Sequence, residues 1–445
     1  MKFTKSDTPP IVKPLLRMAV PSMVGAVILS AVPIVEGWFV GALGAGALAS
    51  VALVFPLYML SNMISAGAIG GAVAGATARA LGSGDEAAVR AILLGAFILS
   101  AVVGGFAALL VLVFGRDLFA LLGGAGEVLE NAVRYGDILF AGIVLLMLFN
   151  FLSSILRGAG DMKAPAIGMI IVASVHGIVS WDAVARWGLE GAAIALLVGY
   201  GVGCLFVLSR LFSSSSPVSI TGVWRIEPSY VWSVMIPVVR AGLLASVQSV
   251  TTIFMAVLLT GFAGQLGTKA LAGYGLGSRL ELLMIPIIFG FGSAAIAMAG
   301  KAVGAGDRDH AIRIAWTGAG LAMVFVGSLG IVAAIFPQIW TGIFTADKEV
   351  ADVTSRYLSI VGPFYGFFAL GLALYFSSQA LRTLGWPVVG TILRLAVLIA
   401  GLVLVDGATS EPDTLFTIIA VAMAIYGVFI ASALKLGPWG AQARD

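Results

Sequence analysis

The chain has 445 residues, of which 60% are hydrophobic and only 11% charged, against about 25% charged in an average soluble domain; its mean hydropathy is +1.07. A soluble globule cannot hide that much apolar surface, so a soluble enzyme, a nucleic-acid binder and a disordered chain are excluded as leading readings. A formal charge of +3 calls for no anionic partner, the single Cys204 rules out an internal disulfide framework, and two distant histidines, His176 and His310, make no metal-ligand pattern.

In chain order, the polar stretch 1–13 with Pro9–Pro10 has no long apolar run ending in a cleavage site, so no removable signal peptide is predicted. Charge-poor runs near the ~20 residues that a bilayer core requires then predict twelve helices. They fall at about 15–39, 47–77, 91–114, 134–156, 164–182 and 190–210 in the first half. In the second half they fall at about 232–262, 270–300, 312–336, 355–381, 386–406 and 414–434. The fold class expected is an all-α polytopic membrane protein, because barrel strands would be short and alternating whereas these runs are long and apolar on all sides. Gly82-Ser-Gly84 and Gly304-Ala-Gly306 lack a Gly-Lys-Ser/Thr sequel; they read as turns, not as a nucleotide site, so ATP is not the expected energy source.

With an even number of spans both termini share one side, and that side collects most of the 25 Lys and Arg. The other side holds Arg116, Arg134, Arg186, Lys269, Lys348 and Arg356. The asymmetry predicts cytoplasmic termini in a multi-pass plasma (inner) membrane protein.

The sequence repeats at a period of about half its length. Gly41-Ala-Leu-Gly-Ala-Gly-Ala-Leu-Ala49 matches Gly264-Gln-Leu-Gly-Thr-Lys-Ala-Leu-Ala272, and Ala80-Leu-Gly-Ser-Gly-Asp85 matches Ala302-Val-Gly-Ala-Gly-Asp307. Ser153-Ser-Ile-Leu-Arg157 corresponds to Ser377-Ser-Gln-Ala-Leu-Arg382. The reading is two pseudo-symmetric six-helix lobes in parallel orientation: 1–210, a cytoplasmic linker 211–228 carrying Ser213–Ser216 and Pro217, and 229–445. Two similar lobes around a cleft, rocked to open it to alternate sides, are the physical basis of secondary transport.

These stretches resemble the MATE (multidrug and toxic compound extrusion) family. Val35–Ala49 is similar to the family's first-helix exit and following turn, Leu271–Glu281 running on to Val303–Asp307 to its second half, Ala380–Arg382 to its tenth-helix end and Gly188–Ala195 to the start of its sixth helix. The resemblance implies two six-helix lobes exporting organic cations or other amphiphiles in exchange for H⁺ or Na⁺. Where the family usually carries a first-helix Asp, this chain has Glu36. The fifth-helix Asn and Asp positions correspond to His176 and Ser180. Gly371 stands in place of a tenth-helix acid, and Gln248 lies near a seventh-helix one. Those departures weaken a NorM-like sodium site in the second half and favour a DinF-like arrangement with the ion site in the first.

Charges within a bilayer cost about 2.5–3.5 kcal/mol each at the helix centre on insertion scales, so intramembrane ionisable groups are the default functional candidates. Glu36 and His176 are the expected ion-coupling residues. A carboxyl in apolar surroundings, or an imidazole with its ordinary pKa of about 6.5, can exchange a proton in the neutral range. Pro21 and Pro33 supply bends through which helix 1 can respond. Asp182, beside Trp181 and Trp187, reads as an interface residue.

Glu281, Gln248, Asn150 and Arg279 are the expected substrate-binding residues. Glu281 and Arg279 sit about 200° apart on one helix, so they need not pair with each other. Arg240 and Arg394 are read as snorkelling or bridging helices. Met147, Phe149, Phe151, Met255, Met284, Tyr274 and Phe289 are candidates for a plastic pocket, with ordinary packing as the simpler reading.

The function expected is a secondary exporter of amphiphilic, cationic organic compounds, driven by H⁺ in preference to Na⁺. No metal and no cofactor beyond the coupling ion are expected, no nucleic-acid partner, and a monomer suffices. The competing readings are a lipid-linked oligosaccharide flippase, which calls for a more basic cleft, and a membrane-embedded enzyme, which calls for paired acidic or His-rich motifs.

Overall fold

The computed structural model describes residues 10–213, 216–218, 222–404 and 411–440. The leader reading of the N-terminus, Lys2, Lys5 and Arg444 among the cations of the terminal side, and residues 214–215 and 219–221 of the linker lie outside them.

Fifteen α-helices carry the described chain. The first half contains α1 (Val12–Gly41), α2 (Ala45–Asn62), α3 (Ile69–Ser83), α4 (Glu86–Leu121), α5 (Gly126–Ala141), α6 (Ile143–Ala159) and α7 (Lys163–Phe212). The second contains α8 (Pro228–Gln265), α9 (Thr268–Gly304), α10 (Arg308–Ile335), α11 (Pro337–Phe344), α12 (Lys348–Val361), α13 (Tyr365–Leu381), α14 (Gly385–Leu404) and α15 (Pro412–Leu436). A π-helical turn, Met63–Ala68, joins α2 to α3. A 3₁₀ turn, Gly362–Phe364, joins α12 to α13.

Ten of these helices or continuous runs are long and apolar enough to cross a membrane, and α5 with α6, bent by 45°, makes an eleventh. The 50-residue α7 is broken at Gly188, where φ is 57° and ψ −132°. Unbroken, it would stretch about 75 Å at 1.5 Å per residue, more than twice the ~30 Å hydrocarbon core. Its two arms therefore supply two crossings, on either side of the break between the expected spans 164–182 and 190–210, and the total reaches twelve.

The fourth expected span, 134–156, differs in detail. Its helix starts at Gly126 and bends after Ala141. Glu127, Glu130 and Arg134 on α5 hide that beginning from a search for apolar runs. The tenth, 355–381, likewise starts at Lys348 and is interrupted by a 3₁₀ turn at Pro363.

The repeat is visible in the backbone. Gly44 and Gly267 both have φ of 108°, a region closed to most L-residues. After α3 and after α9 the chain turns the same way, with Gly84 at φ 73° and Gly306 at φ 85°. The following aspartate then caps the next helix: Asp85 accepts from the Ala88 amide and Asp307 from the His310 amide, both at 2.9 Å, which satisfies an orphan donor of the first turn.

The chain packs into two units, Val24–Ser249 and Met1–Met23 with Val250–Asp445. Both divisions fall inside a helix, α1 and α8. In the first unit a Cβ on Gly242 of α8 would lie 2.9 Å from Ile69, and one on Gly95 would meet Met235. In the second, a Cβ on Gly290 would meet Met23 and the Ala19 carbonyl, so the start of α1 packs with α9.

Helices approach closely through small residues, as membrane bundles require. A Cβ on Gly158 would fall 2.3 Å from the Ala74 carbonyl oxygen. Large apolar side chains such as Phe106, Val113, Ile178 and Leu205 face outward, as in a chain surrounded by lipid. The largest fully buried residues include six tyrosines, Tyr135, Tyr200, Tyr357, Tyr365, Tyr375 and Tyr426. A buried phenol brings a polar end into the interior, and Tyr135, Tyr200, Tyr357 and Tyr426 belong to the sites below.

Candidate functional site

In the first unit Glu36, near the end of α1, is buried with 4% of its surface exposed. Its carboxylate accepts a hydrogen bond from the Tyr135 hydroxyl on α5. Tyr58 on α2 and Tyr200 on α7 share a hydrogen bond between their hydroxyls at 3.0 Å, and the Tyr200 ring stands edge-on to Phe149, with centroids 5.8 Å apart. One turn beyond Tyr58 lies Asn62. Asn150 on α6 donates to its Oδ1 at 3.1 Å and to Ser65 Oγ, on the π-helical turn, at 2.8 Å. Ser154 donates to the Asn150 carbonyl and accepts from Arg157, both at 2.7 Å.

Each piece has a local cause. Polar side chains among apolar ones seek partners on neighbouring helices, because lipid offers none. An extra residue in the helical turn re-aims the side chains at its edges, which is why π-turns cluster where helices meet a site. Here that turn presents Asn62 and Ser65 to the same Asn150 amide.

His176 is fully buried on α7, with Ser180 Oγ 3.4 Å from its Nδ1. Gly199 of the second arm of α7 packs against His176, where a Cβ would come within 3.4 Å of it. Glu36 and His176, both expected to couple the ion, are thus in one unit but hold different partners, Tyr135 and Ser180. Asp182 is exposed and pairs with Arg186 at 2.8 Å, in the arm of α7 that precedes the break at Gly188.

The expected binding residues separate further. Asn150 is a tie between helices, and Gln248 is buried on α8. Arg279 is exposed and is not the partner of Glu281. In the second unit the Glu281 carboxylate on α9 accepts from the Tyr357 hydroxyl on α12 at 3.3 Å. It lies 3.8 Å from an Arg394 nitrogen on α14. The Arg394 guanidinium sits over Phe368 and Tyr426, 4.7 and 5.6 Å from their ring centroids. Of the two roles read for Arg394, the structure takes bridging.

Met147, Phe149, Phe151, Met255 and Met284 are packed into the interior of their units with 3% exposure or less. Among the described residues no three His, Cys, Asp or Glu side chains come together in a way that could hold a metal ion.

Sequence reasoning missed the tyrosines. A phenol carries no charge to stand out in an apolar run. The repeat did hold a signal, since Arg134-Tyr135 and Arg356-Tyr357 occupy corresponding positions and both phenols meet a carboxylate.

Comparison with known proteins gives a consistent result. The family model MatE matches residues 21–181 and again 245–405, two copies at the spacing of the internal repeat. A protein of Shewanella oneidensis named FAD transporter is 25% identical over 403 residues, covering 88% of this chain and 86% of its own length. A Thermotoga maritima protein named "Probable multidrug resistance protein NorM" is 23% identical over 372 residues, covering 82% and 79%. Among solved structures, a MOP superfamily transporter from Pyrococcus furiosus superposes with a TM-score of 0.86 at 22% identity, over 98% of this chain and 100% of that one.

Proposed function

Because the chain belongs to the MatE family of multi-pass membrane transporters, we propose that it is a secondary exporter of amphiphilic, cationic organic compounds driven by inward H⁺ movement. The family places it among transporters and not among enzymes. The proposal adds the coupling ion, the cargo class, a place in the inner membrane and cytoplasmic termini. The cation bias of the side shared by the termini supports the last of these.

The observation that carries the reading is Glu36. A carboxyl buried in a membrane lobe, with a phenol as hydrogen-bond donor, can balance its charge by taking a proton. A group that is protonated from outside and deprotonated toward the cytoplasm converts a pH gradient into work, provided its two states favour different conformations. Na⁺ is the weaker candidate, because Gly371 and Gln248 stand where a second-half sodium site would call for acids. His176, buried beside Ser180, is a second titratable group in the same lobe. Glu281 supplies a negative charge for the ammonium end of an amphiphilic cargo. An acidic aromatic cargo is a second reading, favoured by the relative named FAD transporter and by the buried Arg394.

The test is transport of a cationic dye by the purified protein in proteoliposomes, with pH and Na⁺ gradients imposed separately. Uptake driven by the pH gradient alone is expected. Transport that requires Na⁺, or neither gradient, refutes the coupling proposed here.

A further inference from the structure

The acid–base pair of the second unit is left open. Arg394 is buried, with 6% of its surface exposed, yet among the described residues none accepts a hydrogen bond from its guanidinium. Its Nε–H is wholly enclosed and has no partner. The one carboxylate near it, Glu281, stands at 3.8 Å, beyond hydrogen-bond reach. Buried guanidinium groups ordinarily spend their donors on acceptors, and an unspent one calls for an explanation. Phe368 and Tyr426 lie against the guanidinium and hold it in place without satisfying its donors.

Glu281 is equally underused, with one oxygen taking the Tyr357 hydroxyl at a long 3.3 Å and the other facing Arg394. About a fifth of the Glu281 side chain is exposed, so the pair is reachable from its carboxylate end. Among the described residues, the other titratable groups around it, Tyr274 on α9, Tyr357 on α12, Tyr365 on α13 and Tyr426 on α15, are phenols and leave the charge balance to Glu281 and Arg394.

We propose that this open pair is a binding site for zwitterionic amphiphiles, the ammonium group going to Glu281 and the acidic group to the free donors of Arg394. The proposal deepens the exporter reading and rests on it for the role of the site in transport. A simple cation would neutralise Glu281 and strand Arg394 without its counter-charge; a simple anion would sit beside a like-charged carboxylate. Each leaves an uncompensated charge in a low-dielectric interior, which is costly. A zwitterion adds no net charge and converts one loose pair into two closed ones.

Three matched probes test this: N-octyl-L-tryptophan (zwitterion), L-tryptophan octyl ester (cation) and N-octanoyl-L-tryptophan (anion). Their binding to the full chain in nanodiscs is measured by titration calorimetry, with empty nanodiscs subtracted. The wild-type protein is expected to bind the zwitterion at least tenfold tighter than either of the others. Arg394→Gln should bring the zwitterion down to the level of the ester, and Glu281→Gln down to the level of the N-acyl compound. Equal wild-type affinity for the zwitterion and the ester overturns the proposal, and this comparison needs no variant to fold. An Arg394→Gln protein that folds and keeps its zwitterion preference overturns it as well. Binding in nanodiscs does not depend on a proton gradient, so failure here leaves proton-driven export standing, while loss of pH-driven dye transport would leave the selectivity intact.

Discussion

Each unit places a carboxylate against a tyrosine, and the two tyrosines occupy the same position in the repeat. In the first unit Tyr135 meets Glu36, and in the second Tyr357 meets Glu281. The acids, however, come from different helices. At the spacing of the repeat, Glu36 corresponds to Leu259 and Glu281 to Tyr58. The second unit also adds a guanidinium, Arg394, beside its acid. Duplication kept the donor while the acid and its counter-charge diverged. A carboxyl served by a neutral phenol is suited to gaining and losing a proton. One facing an arginine already has a partner for its charge and is suited to holding a charged ligand.

The sharpest way to break that comparison is to remove one acid at a time. Glu36→Gln should reduce pH-driven transport about tenfold or more, within the range of typical coupling energies, while Glu281→Gln should weaken substrate binding and leave residual transport responsive to pH. Initial rates in proteoliposomes across a pH series separate the two. If both variants show the same defect, the lobes are not specialised.

A purely structural control comes next in size. Gly158→Leu would force a side chain onto the Ala74 carbonyl, where even a Cβ has only 2.3 Å. A loss of about 1–3 kcal/mol or more is expected from such overpacking, read as a lower unfolding temperature in detergent. Asn150→Leu should cost less, about 1 kcal/mol. It removes two interhelical hydrogen bonds, to Asn62 and Ser65, and such bonds average about 0.6 kcal/mol each in membranes.

Finer still is the pair of phenols. Tyr135→Phe should displace the pH profile of transport with a smaller rate loss than Glu36→Gln. Tyr357→Phe should change ligand affinity and leave that profile where it is.

The smallest effect belongs to the exposed end of the second unit, where Lys269 reaches Asp347 and Glu349. The Lys269 ammonium, with the Val350 and Glu349 amides, holds the Asp347 carboxyl below its ordinary range. Whatever stability this gives is present above the ordinary carboxylate pKa and is lost as pH falls through the lower folded value. Solvent screens the pair, so Asp347→Asn should lower thermal stability only slightly between about pH 6 and 8, where the contribution is fully present, and that small difference should vanish as pH falls below the ordinary Asp pKa of about 3.9.

Much of this was legible in the chain. Charge-free runs located the spans, because a bilayer penalises charge wherever helices cross it. The Gly-Ala repeats located the turns, because their backbone conformations need glycine. Glu36 stood out as a lone carboxylate at the end of an apolar helix. The partners did not stand out. Arg394 is 113 positions from Glu281 along the chain, and Arg279 was near in sequence but lies on an exposed face of the same helix. Contacts between helices of a bundle depend on rotation and depth, and an apolar run fixes neither. The start of α5 stayed hidden because its helix begins in a charged segment. The π-turn at Met63–Ala68 stayed hidden because its residues, Met-Ile-Ser-Ala-Gly-Ala, resemble any other stretch of a membrane helix.

Proton-driven export through the first unit requires Glu36 to exchange a proton as cargo binds. The most direct measurement is proton release on substrate binding, followed with a pH-sensitive dye in weakly buffered solutions of the purified wild-type and Glu36→Gln proteins. Release is expected from the wild-type protein and none from the variant, with the variant still binding substrate. Equal release from both would contradict it.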